Sequence, residues 1–210
     1  MGEVVGGAYR LAIGSQTVEL PIVPVAEGLA IALLMTIDHG VGFMEQAGAD
    51  LATELAGAEP EVVVSAATLG IPVAIEVTRS LCLDDYVILQ KTPKVHLRDA
   101  LSEELSSITT EGSQRLLLDR ARVGAVAGKR VALVDDVIST GSSIAAALRL
   151  LDAAGAEVVA IGALLTEGSG WRAVIGERAG LVRALGQIPL LRPAGTGEIG
   201  ETRAWREDWT

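Results

Sequence analysis

Two adjacent carboxylates, Asp135 and Asp136, stand just before a turn of hydroxyl residues and glycine, Ser139-Thr140-Gly141-Ser142-Ser143. A carboxylate pair accepts hydrogen bonds from vicinal hydroxyls or holds a Mg2+ ion. A turn of small residues that opens a helix lets backbone N–H groups converge on an anion, and the helix dipole adds to the attraction. A phosphate site beside a diol site fits a ribose 5-phosphate. The flanking residues must position both. Val131-Ala132-Leu133-Val134 has the pattern of a buried strand, and Ile144, Ala147, Leu148 and Leu151 recur at helical spacing. In open α/β sheets ligands bind beyond the C-terminal strand ends, where these acids would stand.

The run from Val131 to Ile144 resembles the phosphoribosyl-pyrophosphate (PRPP) signature of the type I phosphoribosyltransferases: a strand, two acidic residues, two variable residues and a Thr-Gly turn. The resemblance extends over roughly 61–167 and is to the adenine (purine) group. It implies an α/β fold, a mostly parallel twisted sheet flanked by helices, with a small N-terminal hood and a flexible loop. It divides the chain into a hood with the first helices (1–60), a PRPP-binding core (61–190) and a polar C-terminal tail (191–210).

The same resemblance implies the chemistry. A nucleobase and PRPP would give a nucleoside 5′-monophosphate and pyrophosphate through an oxocarbenium-like transition state. Asp135 and Asp136 would hold the ribose hydroxyls and balance the cationic ring. Ser139, Thr140, Gly141, Ser142 and Ser143 would bind the 5′-phosphate. Ser65, Ala66, Ala67 and Thr68, in a turn after an earlier strand, would hold pyrophosphate together with Lys91, Lys94 and His96. Lys91 and Lys94 would also act on the leaving group, and Glu111 stands one position from a carboxylate of the adenine-type enzymes. Mg2+ would be carried by PRPP, near Asp135 and Asp136, with no metal site of the protein's own. The segment 97–112 would be the mobile lid.

The chain departs from the family pattern in two places. Ala67 and Leu69 stand where adenine-type enzymes carry an acidic residue and an arginine, and Gln90 replaces the arginine before the first lysine. Two other readings stay open. His96 suits an orotate-type enzyme, and the departures suit a PRPP-sensing regulator without turnover.

Composition narrows the classes further. Half of the 210 residues are hydrophobic, aromatics are 3%, and the net charge is −10. A nucleic-acid partner needs a positive face and stacking aromatics, so none is expected. The single cysteine, Cys82, and two histidines, His39 and His96, exclude a disulfide and a zinc cluster. Cys82 is expected as a packed thiol in a helix. The apolar stretch from Leu29 to Ile37 is about half the length a bilayer requires. No basic leader precedes it, so the expectation is a soluble, cytoplasmic protein, a homodimer by resemblance, with no membrane contact.

Periodicity places the remaining elements. An extended segment covers Val18 to Val25, with Pro21 and Pro24 excluding a helix interior. Phe43, Met44, Ala47, Leu51 and Leu55 mark a helix ended by Gly57. Strands are expected at 61–65, 86–89, 115–119, 130–134 and 157–164, and helices from Pro72 to about 83, from the signature to about 154, and over 171–185. Asp38-His39-Gly40 is expected as the cap of an apolar helix before it. The tail from Arg192 is expected to be mobile, with Trp205 and Trp209 as anchors.

Overall fold

Val131, Ala132, Leu133 and Val134 are all at most 1% exposed, so their strand is covered on both faces. That is the signature of a parallel sheet between helices. The computed structural model describes residues 2–5, 7–92, 100–104, 115–194 and 205–210. The central strand, β9 (Arg130–Ile138), pairs in parallel with β5 (Val62–Ala66) and β10 (Glu157–Glu167). Beyond them lie β6 (Tyr86–Leu89) and β11 (Val182–Ile188), completing the order β11-β10-β9-β5-β6.

Alternation of side chains divides this sheet into two apolar layers. Val62, Val64, Val131 and Leu133 pack with helix α3 (Ser142–Ala153), the short helix α4 (Trp171–Ile175) and strand β8 (Arg115–Asp119). Val63, Ala132, Val134 and Leu164 pack with helices α1 (Val41–Leu55) and α2 (Gly70–Ser80) and with a second sheet. That second sheet is antiparallel: β1 (Glu3–Val5), β2 (Ala8–Ile13), β3 (Gln16–Ala26), β4 (Leu29–Ala32), β12 (Leu190–Pro193) and β13 (Trp205–Asp208), paired in that order. The expected α/β class and the mostly parallel sheet flanked by helices are present.

Four expectations differ from the structure. Residues 171–185 are not one helix: α4 ends at Gly176, whose φ is +60°, a 3-10 turn follows, and β11 begins at Val182. The alternating apolar residues of 182–188 fit a helix or an edge strand, and pairing with β10 decides for the strand. Asp38-His39-Gly40 caps no preceding helix. Residues 29–32 are a strand, Thr36–Asp38 a 3-10 turn, and Gly40 precedes α1. Cys82 is exposed, in a left-handed residue (φ 57°) just past α2 rather than inside it.

The fourth difference is the C-terminal tail. Its described parts are strands β12 and β13, with Trp205 packed on the second apolar layer. Arg192 Nε donates to Asp208 at 2.6 Å, and Tyr9 Oη donates to Glu207 at 3.1 Å. In the expected lid, residues 100–104 are strand β7 (Ala100–Glu104), paired with β8 and tied to α3 by Arg149, which donates to Glu103 at 3.0 Å.

Helices α1 and α2 pack closely because Gly48 has no side chain. A Cβ there would stand 2.9 Å from the backbone carbonyl carbon of Glu76. Gly48→Leu should therefore destabilise the fold by about 1–3 kcal/mol through overpacking, read as a lowered urea midpoint with an unchanged slope.

Candidate functional site

Three neighbouring parallel strands end at one edge. Val134 of β9 is level with Ser65 of β5, and Asp135 is level with Ala163 of β10. Asp135 and Asp136 lie within β9, level with the turn after β5, while β9 and β10 run on together to Ile138 and Glu167. Past Ile138 the chain turns through Ser139, Thr140 and Gly141 into α3. Gly141 has φ +81°, and a Cβ on it would meet the Trp171 backbone at 3.1–3.2 Å, so position 141 needs glycine on both counts. Thr140 Oγ1 lies 2.8 Å from Ser142 Oγ and accepts the Ser142 N–H at 3.3 Å. The first amides of α3 stand at this loop.

The turn after β5 leads directly into α2. The Ala67–Thr68 peptide is cis. Ala67 N–H donates to Leu89 O at 2.9 Å, which fixes the turn to β6 and commits that amide. Thr36, 1% exposed, donates its hydroxyl to Leu69 O at 2.7 Å and holds the turn from the hood side. Gly70 opens α2 against the acid pair. A Cβ there would lie 2.8 Å from Asp135 Oδ1 and overlap the Ser65 hydroxyl. The Ser65 hydroxyl is fully buried and has no hydrogen-bond partner among the described residues. A polar group so placed costs free energy until a partner arrives.

Charge is concentrated at Asp135. Burial pushes its carboxyl well above the usual carboxylate range, the Asp136 charge pushes the same way, and Lys91 opposes both. Asp136 N–H donates to Asp135 Oδ1 at 3.1 Å. One strand away, Glu167 at the end of β10 is 7% exposed and contacts the Ser139 hydroxyl at 2.5 Å. Burial raises its carboxyl, against the Ser139 hydrogen bond.

The structure thus brings together Asp135, Asp136, the Ser139–Ser143 turn, the Ser65–Thr68 turn and Lys91. Lys94, His96 and Glu111 lie outside the described residues. Sequence reasoning missed Thr36, Gly70 and Glu167. Glu167 carried a usable signal, a carboxylate at the C-terminal end of a buried strand followed by glycine. Thr36 and Gly70 carried none, because their roles arise from long-range contact.

Comparison with known proteins bears on the family and the fold. The family model described as "Phosphoribosyl transferase domain" matches residues 43–177, more than half of the chain. An adenine phosphoribosyltransferase of Mycobacteroides abscessus is 55% identical over 40 residues, 19% of this chain and 23% of that protein. An orotate phosphoribosyltransferase of Pyrobaculum aerophilum is 32% identical over 127 residues, 60% of this chain and 55% of that protein. The chain thus spans about half or less of the length of these curated relatives. Among solved structures, the Giardia lamblia APRTase complexed with 9-deazaadenine has a TM-score of 0.62 at 20% identity, over 80% of this chain and 93% of that one. At that identity the likeness is one of fold.

Asp135→Asn should stabilise the ligand-free protein at neutral pH. An acid raised in the folded state contributes stability that is complete below its unfolded pKa and is lost as pH rises through the folded one. The wild type and Asp135→Asn should therefore melt together in acid, and the variant should gain as pH rises past the usual carboxylate range. Thermal unfolding across that range checks the sign. A variant that falls behind with rising pH would mean that ionised Asp135 supports the fold.

Proposed function

The chain belongs to the phosphoribosyl transferase domain family, and from that premise we propose that it is a phosphoribosyltransferase of the purine, adenine type. The observation that carries the reading is the convergence at one sheet edge of an acid pair, the N-terminus of α3 behind Gly141, and the N-terminus of α2 beside Lys91. The spacing of these groups along the edge suits one ligand with a phosphate at one end, a diol in the middle and a pyrophosphate at the other.

In this reaction the bond between ribose C1 and the pyrophosphate oxygen breaks, and its electron pair leaves with pyrophosphate. A base nitrogen bonds to C1 and loses its proton. Positive charge grows on the ring at the transition state, where the Asp135–Asp136 pair can balance it. The raised proton affinity of Asp135 in the free protein comes from its burial and from the neighbouring Asp136 charge. Ser139–Ser143 would hold the 5′-phosphate by the helix amides and hydroxyls. Lys91 would meet the charge arriving on pyrophosphate, together with the amides of Thr68, Leu69 and Gly70. The hard carboxylate oxygens of Asp135 and Asp136 suit Mg2+, which, carried by PRPP, would supply charge neutralisation on the pyrophosphate. The adenine reading is supported by the 55% identity to an adenine enzyme. An orotate-type reading is supported by the longer match to an orotate enzyme.

Pyrophosphate release from PRPP and Mg2+ with adenine, hypoxanthine, guanine and orotate tests the proposal. Adenine should turn over, and Asp135→Asn with Asp136→Asn should lower kcat by about 100-fold or more, the scale of a lost transition-state charge partner. Turnover with orotate alone would select the second reading. PRPP binding without turnover of any base would select a regulator.

A further inference from the structure

Glu167 has no part in the reaction as described, yet it is the buried acid that touches the phosphate turn. It ends β10 one step beyond the Thr166–Ile138 pairing, beside Ser139. Among the described residues its side chain hydrogen-bonds to the Ser139 hydroxyl, at 2.5 Å. The residue opposite it on β11 is the apolar Ile188. The charged groups on the elements around it include Asp135 and Asp136 on β9, Arg183 on β11, Arg172 on α4, and Glu207 and Asp208 on β13, the last bonded to Thr210, whose backbone oxygen lies against Gly168. Its raised proton affinity comes from burial, with the Ser139 hydrogen bond opposing.

A carboxylate in this place has two unfavourable consequences for a phosphate. It brings a like charge to the turn, and it claims the hydroxyl hydrogen of Ser139. A carboxylic acid reverses both. It donates its own hydrogen to Ser139 Oγ, and the Ser139 hydrogen is free to point into the turn. We infer that Glu167 is a positioning residue for the phosphate turn, and that a phosphate monoester binds there together with one proton, taken up by Glu167 and donated to Ser139. The inference rests on the reading of Ser139–Ser143 as the phosphate site. No covalent step is involved; the proton comes from solvent and returns to it on release.

The probe is ribose 5-phosphate, titrated into the full chain by calorimetry in buffers of different ionisation enthalpy. Above about pH 7.5 the phosphate is already dianionic, since its second pKa is about 6, so uptake there belongs to the protein. The wild type should take up a proton, approaching about one per site, and its affinity relative to Glu167→Gln should fall with rising pH, by at most about tenfold per unit. Glu167→Gln, whose amide donates permanently, should bind without uptake. Glu167→Ala, which neither titrates nor donates, should also show no uptake and should bind more weakly than Glu167→Gln. A merely structural role would leave wild-type uptake near zero or Gln no better than Ala, and either result overturns the inference while the phosphate site stands. Wild-type protein that binds no ribose 5-phosphate at any pH overturns the phosphate site itself, and the inference with it. Should neither variant fold, uptake by Asp135→Asn protein, which lacks the other raised acid of the site, decides: near zero overturns the inference, and near one supports it.

Discussion

A half-buried carboxyl group in the C-terminal half of the central strand, Asp135, sets the terms for the rest of this site. Asp135 follows four buried apolar residues of β9, so its backbone position is fixed by the sheet. Its side chain faces the start of α2 at Gly70 and the second carboxylate, Asp136. An ionised acid in such surroundings is costly, and the free protein limits the cost by raising its proton affinity. The ligand that relieves this arrangement must bring hydroxyl donors or positive charge. A ribose ring that becomes cationic brings both, and the second only at the transition state, which is where binding energy accelerates a reaction.

Close approach is the means by which the fold assembles these groups, and glycine is the residue that permits it. Without a side chain at 70, the first turn of α2 reaches Ser65 and Asp135; without one at 141, the phosphate turn passes against the Trp171 backbone. Gly48 does the same service between α1 and α2, one layer removed from the site. These three glycines have different conformations. Gly141 is left-handed, whereas Gly48 and Gly70 sit in helical segments, where glycine costs about 1 kcal/mol relative to alanine. That cost is accepted where helix and strand must come nearer than a methyl group allows.

The core of the fold was legible because its signals are local. The short runs at 61–65, 86–89 and 131–134 read as buried strands between turns, and the spacing in 43–55 and 144–151 reads as helices. The Ser139–Ser143 turn was legible for the same reason, since strand, acids, turn and helix are consecutive. Legibility failed where partner strands decide the outcome. Residues 182–188 look helical until β10 pairs with them, and the polar residues of 205–208 become a strand because β12 and the Tyr9–Glu207 and Arg192–Asp208 bonds hold them. Thr36 and Gly70 act through contacts 33 and 65 residues away, to Leu69 and Asp135, which no local pattern encodes.

The turn after β5, proposed to hold pyrophosphate, shows how far such departures reach. Ala67 and Leu69 place no charge where the resembling enzymes carry an acid and an arginine, so electrostatic help there is reduced. The backbone is nonetheless secured from two sides, by the Ala67–Leu89 and Thr36–Leu69 hydrogen bonds. Amides held rigidly need no reorganisation when an anion arrives, whereas a long side chain loses rotamer freedom in reaching it. The loss of an acid together with an arginine also changes the local charge by nothing in sum. In the proposed reaction the turn then works through preorganised amides, and the burden of net positive charge passes to Lys91, which already acts on Asp135 from the end of β6. A turn simplified in this way would hold a leaving pyrophosphate less tightly, which favours its release as much as it weakens its capture.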